Sequence, residues 1–292
     1  MLAILLALLA LISAALLVRL VHIARARGQL QPRLEAIGLG AVTNFFDTLG
    51  IGSFAPTTAW FKFRSLVPDS FIPATLNVGH ALPTVAQSVI FLVLLGVHVD
   101  PVLLVSCVAA ATAGALIGAP IVVSTPIRLV QAVVGIALVI AATLFAMSNL
   151  GLFPVGGTAT SLPAASLLIA IAAHFVMGAL MAFGIGLYAP SLILLSLLGL
   201  DPRLAFPVMS SACAFLMPAT GFKFMTSERI DLRVVIGIAL GGVPAVLLAA
   251  FVVKELPMTT LRWMVVAVVL YAAVLLLRAA FKGDAARDPT SR

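Results

Sequence analysis

The sequence predicts an all-α polytopic membrane protein. It is expected to hold two inverted repeats, each a Gly-broken re-entrant or hairpin segment plus three transmembrane helices, preceded by one extra N-terminal helix. Three observations lead there. Hydrophobic residues make up 63% of the 292-residue chain and charged residues only 9%, against about 25% charged in a soluble domain. One broken motif occurs twice: Gly50-Ile51-Gly52-Ser53-Phe54-Ala55-Pro56 returns 134 residues later as Gly184-Ile185-Gly186-Leu187-Tyr188-Ala189-Pro190. Finally, Lys and Arg sort to one side of a membrane only if each broken segment turns back.

The elements follow in order. Residues 1–35 hold an N-terminal transmembrane helix and a basic loop; the run from Met1 to Leu20 lacks a basic leader and a clear cleavage site, so it is expected to be a retained span. Repeat 1 covers 36–147, with apolar segments at 36–61, 70–97, 101–124 and 126–147. The uncharged stretch 148–162 is the inter-repeat loop. Repeat 2 covers 163–281, with segments at 163–199, 203–225, 232–253 and 258–281, and a polar tail occupies 282–292. The repeat extends beyond the motif. At the same offset of 134, Pro68 meets Pro202 and Pro73 meets Pro207; at 131, Asp100 meets Asp231 and Pro126 meets Pro257.

Charge decides the topology. If every segment crosses once, 11 Lys and Arg lie inside and 6 outside. If the broken segment of each repeat enters and leaves on one side, 14 lie inside and only Arg203, Lys254 and Arg262 outside. The second arrangement obeys the positive-inside rule better. It leaves three full spans per repeat, an odd number, so repeat 2 is inverted relative to repeat 1 and the C-terminus is cytoplasmic. Whether each break is a re-entrant loop or a tilted hairpin stays open.

Composition also excludes functions. Mean hydropathy is +1.24, and no polar stretch is long enough for a separate soluble domain. The net charge of +7 sits at span ends rather than as a basic stripe on a soluble surface, so no nucleic-acid partner is expected. Cys107 and Cys213 lie in apolar runs and read as small hydrophobes. No disulfide or metal pattern is present, no cofactor is expected, and no phosphate-binding Gly-rich loop ending in Lys-Ser/Thr occurs. His22, His80, His98 and His174 are scattered, which argues against an enzyme. Paired Gly/Pro-broken apolar segments in matching halves point instead to a transporter binding site.

These residues resemble the sulfite exporter TauE/SafE family of membrane permeases. Each repeat opens with a Gly-rich break followed closely by Pro. A segment with small or polar residues near its start comes next, Ala74-Thr75-Leu76-Asn77 and Val208-Met209-Ser210-Ser211, and Asp100 or Asp231 opens the third. The likeness covers about residues 36–281. One departure is that the family often shows Gly-x-Gly-Gly-Gly at the break, where this chain places Ser53-Phe54 and Leu187-Tyr188. The resemblance implies export of sulfite or a small organosulfonate across the bacterial inner membrane, coupled to the proton-motive force. An anion channel or an uptake carrier for another small organic anion is the alternative. Protons and membrane lipid are the other expected partners, and a homo-oligomer is left open.

Candidate site residues cluster at the breaks. A helix restarting after Gly-x-Gly presents free N–H groups and a partial positive charge at membrane depth, a place for an anion that needs no buried Lys. Gly50, Gly52, Gly184 and Gly186 would form it, with Ser53 and Thr57 as hydroxyl donors and Asn44 to orient substrate or carboxylate. Asp47 has Met181 as its counterpart at offset 134. It is the candidate proton-coupling carboxylate, or a cap on the restarting helix. Asn77, His80, Thr84 and Gln87 make a polar stripe on one helix face. They would line a wet cavity with His80 relaying a proton, or else hold the bundle together through interhelical hydrogen bonds. Ser211 matches Asn77 and is the candidate in repeat 2.

Overall fold

A computed structural model describes residues 2–94, 98–152 and 157–252, and scattered positions from 263 to 281. Among them there are eleven α-helices and no strand: α1 (Leu2–Ala26), α2 (Leu34–Thr48), α3 (Phe54–Arg64), α4 (Ile72–Gly79), α5 (Ala81–Leu94), α6 (Pro101–Ser124), α7 (Ile127–Asn149), α8 (Ala164–Met181), α9 (Tyr188–Leu197), α10 (Pro202–Thr226) and α11 (Leu232–Val252). A 3-10 turn, Asp69–Phe71, precedes α4. The expected span at 258–281 is described only in part. The tail 282–292 and residues 153–156 of the inter-repeat loop lie outside the described residues.

Seven of the described helical stretches are long and apolar enough to cross a membrane, counting the turn with α4 and α5 as one rod. The chain is a membrane-embedded helical protein. Its burial pattern agrees: Leu11 and Val18 on α1 are 69% and 71% exposed, whereas Asn44, Thr57, Asn77, His80, His174 and Ser211 are buried. Apolar residues face outward, where lipid is their solvent, and polar residues face one another inside.

Helix starts follow from local chemistry. Asp100 accepts from the Leu103 N–H at 2.8 Å, Asp201 from Arg203 at 2.9 Å, and Asp231 from Arg233 and Val234 at 3.0 and 3.1 Å. Each carboxylate satisfies first-turn donors that have no partner within the helix. Hydrogen bonding from the Arg203 guanidinium also holds the exposed Asp201 carboxyl below the usual carboxylate range.

The same order of elements occurs twice: α2, break, α3, α4–α5, α6, and then α8, break, α9, α10, α11. The halves interlock by exchange. The α2 helix packs along α11, and α8 packs along α6. These pairs are as close as helices become, because a Cβ at Gly241 would collide with the Ile37 carbonyl, and one at Gly178 with the Ala111 carbonyl. Two contacts correspond across the halves: Asn44 meets Gly242 and Gly178 meets Ala111, with 44 and 178 offset by 134 and 111 and 242 by 131.

Both α2–α3 and α8–α9 are hairpins. Glu35 at the start of α2 accepts hydrogen bonds from Trp60 and Arg64 at the end of α3, each 2.9 Å. The α2 and α3 arms hold 15 and 11 residues, about 22 and 16 Å at 1.5 Å per residue. Each is shorter than a ~30 Å hydrocarbon core. The open end of this hairpin lies among the basic residues. Arg33 pairs with Asp231 at 2.8 Å, and Arg27 donates to the carbonyls of Met225 and Ser227 at the end of α10. The second hairpin closes at the start of α10, where Ala159 donates to the Gly199 carbonyl at 3.2 Å and accepts from Asp201 at 2.9 Å. The two open ends are thus separated by the 25 residues of α10, about 37 Å.

Candidate functional site

The two breaks are built alike. In the first, the N–H groups of Leu49 and Ile51 go back to the Phe46 carbonyl and that of Gly50 to Asp47. In the second, Phe183 and Ile185 return to Leu180 and Gly184 to Met181. Gly50 has φ +92° and Gly184 φ +90°, a left-handed backbone that ends a helix and favours glycine. The helices then restart, with the Thr57 N–H bonded to the Ser53 carbonyl and Ser191 to Leu187. Pro56 and Pro190 fall in these first turns, where a missing N–H leaves no gap.

Both breaks line one cavity of about 370 Å³. Of the sequence-predicted residues, Asp47, Gly52, Ser53, Thr84, Gly184 and Gly186 are in its wall. Asp47 is 2% exposed, and it lines the cavity together with Ser53. It stands at the last turn of α2, before the break, and faces the cavity. Gly50 forms the turn behind this wall.

Asn44, Thr57 and His80 are brought together, but outside the cavity lining. Asn44 donates through Nδ2 to the Gly40 carbonyl at 2.7 Å, which turns its Oδ1 toward His80 Nδ1 at 3.0 Å. His80 Nε2 meets the Thr57 hydroxyl at 3.1 Å. The chain ties α2, the α4–α5 junction and α3 into one unit, and both nitrogens of His80 are engaged. Gln87 donates to the Asp47 carbonyl oxygen at 3.2 Å, which steadies the last turn of α2. Asn77 donates to the carbonyls of Pro73 and Met181 at 2.9 and 3.0 Å, which links repeat 1 to the second break. Ser211 and Ser88 share a 3.1 Å hydrogen bond between α10 and α5.

Several residues emerge only from the structure. His174 Nε2 meets the Ser191 hydroxyl at 3.0 Å, and Ser191 stands 134 residues after Thr57. Tyr188 lines the cavity, and its hydroxyl is buried without a hydrogen-bond partner. Cys213 and Met217 of α10 also line it, with Cys213 Sγ 3.6 Å from Met181 Sδ. Tyr188 and Cys213 both lie within electrostatic reach of Asp47. The signal in the sequence for Tyr188 was its place at offset 134 from Phe54, where a hydroxyl replaces a hydrogen. Residues of α7, among them Ile136, Ile140 and Leu144, line the remaining side, where Ile136 and Ile140 are themselves half-exposed.

No Lys, Arg or His lines the cavity among the described residues. The positive potential available there is that of helix N-termini. No cluster of three His, Cys, Asp or Glu side chains suited to a metal ion occurs among the described residues. Comparison with protein-family models, with curated proteins and with solved structures gave no match to this chain.

Proposed function

We propose that this chain is a secondary transporter that exports a small sulfur-containing anion, sulfite or an organosulfonate, across the bacterial inner membrane by alternating access, coupled to the proton-motive force. The observation that carries the reading is the meeting of two duplicated helix breaks at one cavity that also holds a buried carboxyl group. Broken helices at mid-depth supply free backbone donors where a membrane protein binds its cargo. The resemblance of the repeated motifs to the sulfite exporter family gives the substrate class.

In this reading the two halves are inverted repeats. Each hairpin returns to the side it came from, the basic end is cytoplasmic, and the C-terminus lies on that side. The contacts that tie the basic end to the C-terminal end of α10, and the second segment's open end to its start, support it. Proton coupling falls to Asp47. Two like charges close together in a dry site repel strongly, so protonation of Asp47 relieves the repulsion and ties anion occupancy to its charge state. His80 serves as a brace for Asn44 and Thr57, since both of its nitrogens are occupied there.

Proteoliposome flux tests this. Vesicles are loaded with sulfite, taurine, sulfoacetate, propane-1-sulfonate or acetate, with and without an imposed pH gradient. Saturable, gradient-driven movement of a sulfur oxyanion but not of acetate is expected. Flux that rises without saturation would make the chain a channel, and no flux of any sulfur anion would remove the substrate class.

A further inference from the structure

The two helix N-termini at the cavity are not equivalent. Beside that of α3 the cavity wall holds a carboxyl group, Asp47. That of α9 has none, since Met181 stands where Asp47 would be. Beside it sits Tyr188, 7% exposed, lining the cavity, with a buried hydroxyl that no group satisfies. Leaving such a donor unpaired is costly, and a ligand acceptor would remove the cost.

The rest of the cavity is oily. Beyond Asp47, Ser53, Thr84, Tyr188 and Cys213 its side chains are apolar, with Ile136, Ile140 and Leu144 of α7 forming one wall and Met177 and Leu180 of α8 continuing it. At about 370 Å³ it has room for about twelve water molecules at ~30 Å³ each. A bare oxyanion such as sulfite would leave most of that space to water against hydrocarbon, and cavities of this size and lining are those of organic ligands.

We propose that the site takes an amphiphilic organic anion, whose charged head binds at the N-terminus of α9 against the Tyr188 hydroxyl and whose hydrocarbon tail lies along α7. This rests on the transporter reading for its physiological meaning, but the site itself is testable by binding alone. Within the sulfur anions it selects sulfonates that carry an alkyl or aryl tail over sulfite. Tyr188 is then a substrate-contacting residue that sets head-group affinity, and Ile136 and Ile140 set tail preference.

The experiment is a titration of the purified full-length protein in nanodiscs with linear alkane-1-sulfonates from one to eight carbons, beside sulfite and alkylammonium ions of equal length. Flux of the same sulfonates is measured in proteoliposomes. Affinity for the sulfonates should rise about fourfold per methylene until the tail outgrows the cavity. Tyr188→Phe should weaken every sulfonate about tenfold and leave the chain-length slope unchanged. Ile136→Trp should flatten the slope and leave methanesulfonate binding as it was. Sulfite or methanesulfonate binding as tightly as the longer sulfonates overturns the proposal while leaving the transporter reading intact. Equal binding of the alkylammonium series also overturns it, as partition into lipid. A sulfonate series that binds as expected but does not move across the membrane supports the site and overturns the transporter reading.

Discussion

A buried imidazole is least costly when both of its nitrogens have partners, and His80 and His174 meet that condition in the same tautomer. For His80, Nδ1 faces the Asn44 oxygen and must donate; for His174, Nδ1 faces the Ala170 carbonyl at 2.8 Å and must donate too. In each case Nε2 is left to accept from a hydroxyl, Thr57 or Ser191, and these two stand 134 residues apart. The equivalent position on each restarted helix is thus held by a histidine that arrives from a non-equivalent place. This gives Asp47 and His80 different expected phenotypes. Asp47→Asn should keep substrate binding and flatten the pH dependence of flux, because the one carboxylate lining the cavity is lost. His80→Gln should leave the pH midpoint where it is. A pH profile unchanged in the first, or displaced in the second, would reverse the assignment. His80→Ala leaves Asn44 Oδ1 and the Thr57 hydroxyl without partners and should cost about 1–3 kcal/mol, read as a lower melting temperature in detergent. None of this was visible from spacing. The sequence placed Asn77, His80, Thr84 and Gln87 on one face, but only Thr84 of the four reaches the cavity wall. Partners contributed by other helices decide where the rest point.

Helix breaks are the elements that the sequence reveals best, since a left-handed backbone turn favours glycine whatever surrounds it. The hydrogen bonds around Gly50 and Gly184 repeat donor for donor, as the duplicated motif requires. Replacing both Gly50 and Gly184 by Leu puts β-carbons at φ +92° and +90° and costs about 1–2 kcal/mol at each turn. It should abolish flux while the protein still inserts and elutes as a folded species. Gly241→Leu is expected to differ. Its side chain would strike the Ile37 carbonyl and force α2 from α11, so folded protein itself should be lost from size-exclusion profiles. If Gly241→Leu folds normally, or if the double break variant transports, the division between site glycines and packing glycines fails. Less legible was the role of α7. Its apolar residues predict a span, but nothing in its periodicity says that Ile136, Ile140 and Leu144 would wall a cavity whose other residues lie between 33 and 97 positions away in the sequence.

Across the whole molecule, interlocking does what neither half can do alone. The closest helix pairs, α2 with α11 and α6 with α8, each join one half to the other, so neither hairpin is packed chiefly against its own repeat. Sorting Lys and Arg by side asks both broken segments to turn back; the ends of the two segments meet through Glu35 with Arg64 and through Ala159 with Asp201. What counting could not supply was the exchange of partners, because packing between helices depends on small residues meeting across a distance in sequence, Asn44 with Gly242 and Ala111 with Gly178. The arrangement makes a sharp prediction about sidedness. Arg64 and Arg203 have side chains 54% and 81% exposed at the open ends of the first and second hairpins, and both native cysteines, Cys107 and Cys213, are buried. Arg64→Cys should therefore react with a membrane-impermeant maleimide only from the cytoplasm, and Arg203→Cys only from the opposite face. Labelling of both from one side would place the two hairpins in the same orientation, and the inverted repeat, with the alternating access built on it, would fall.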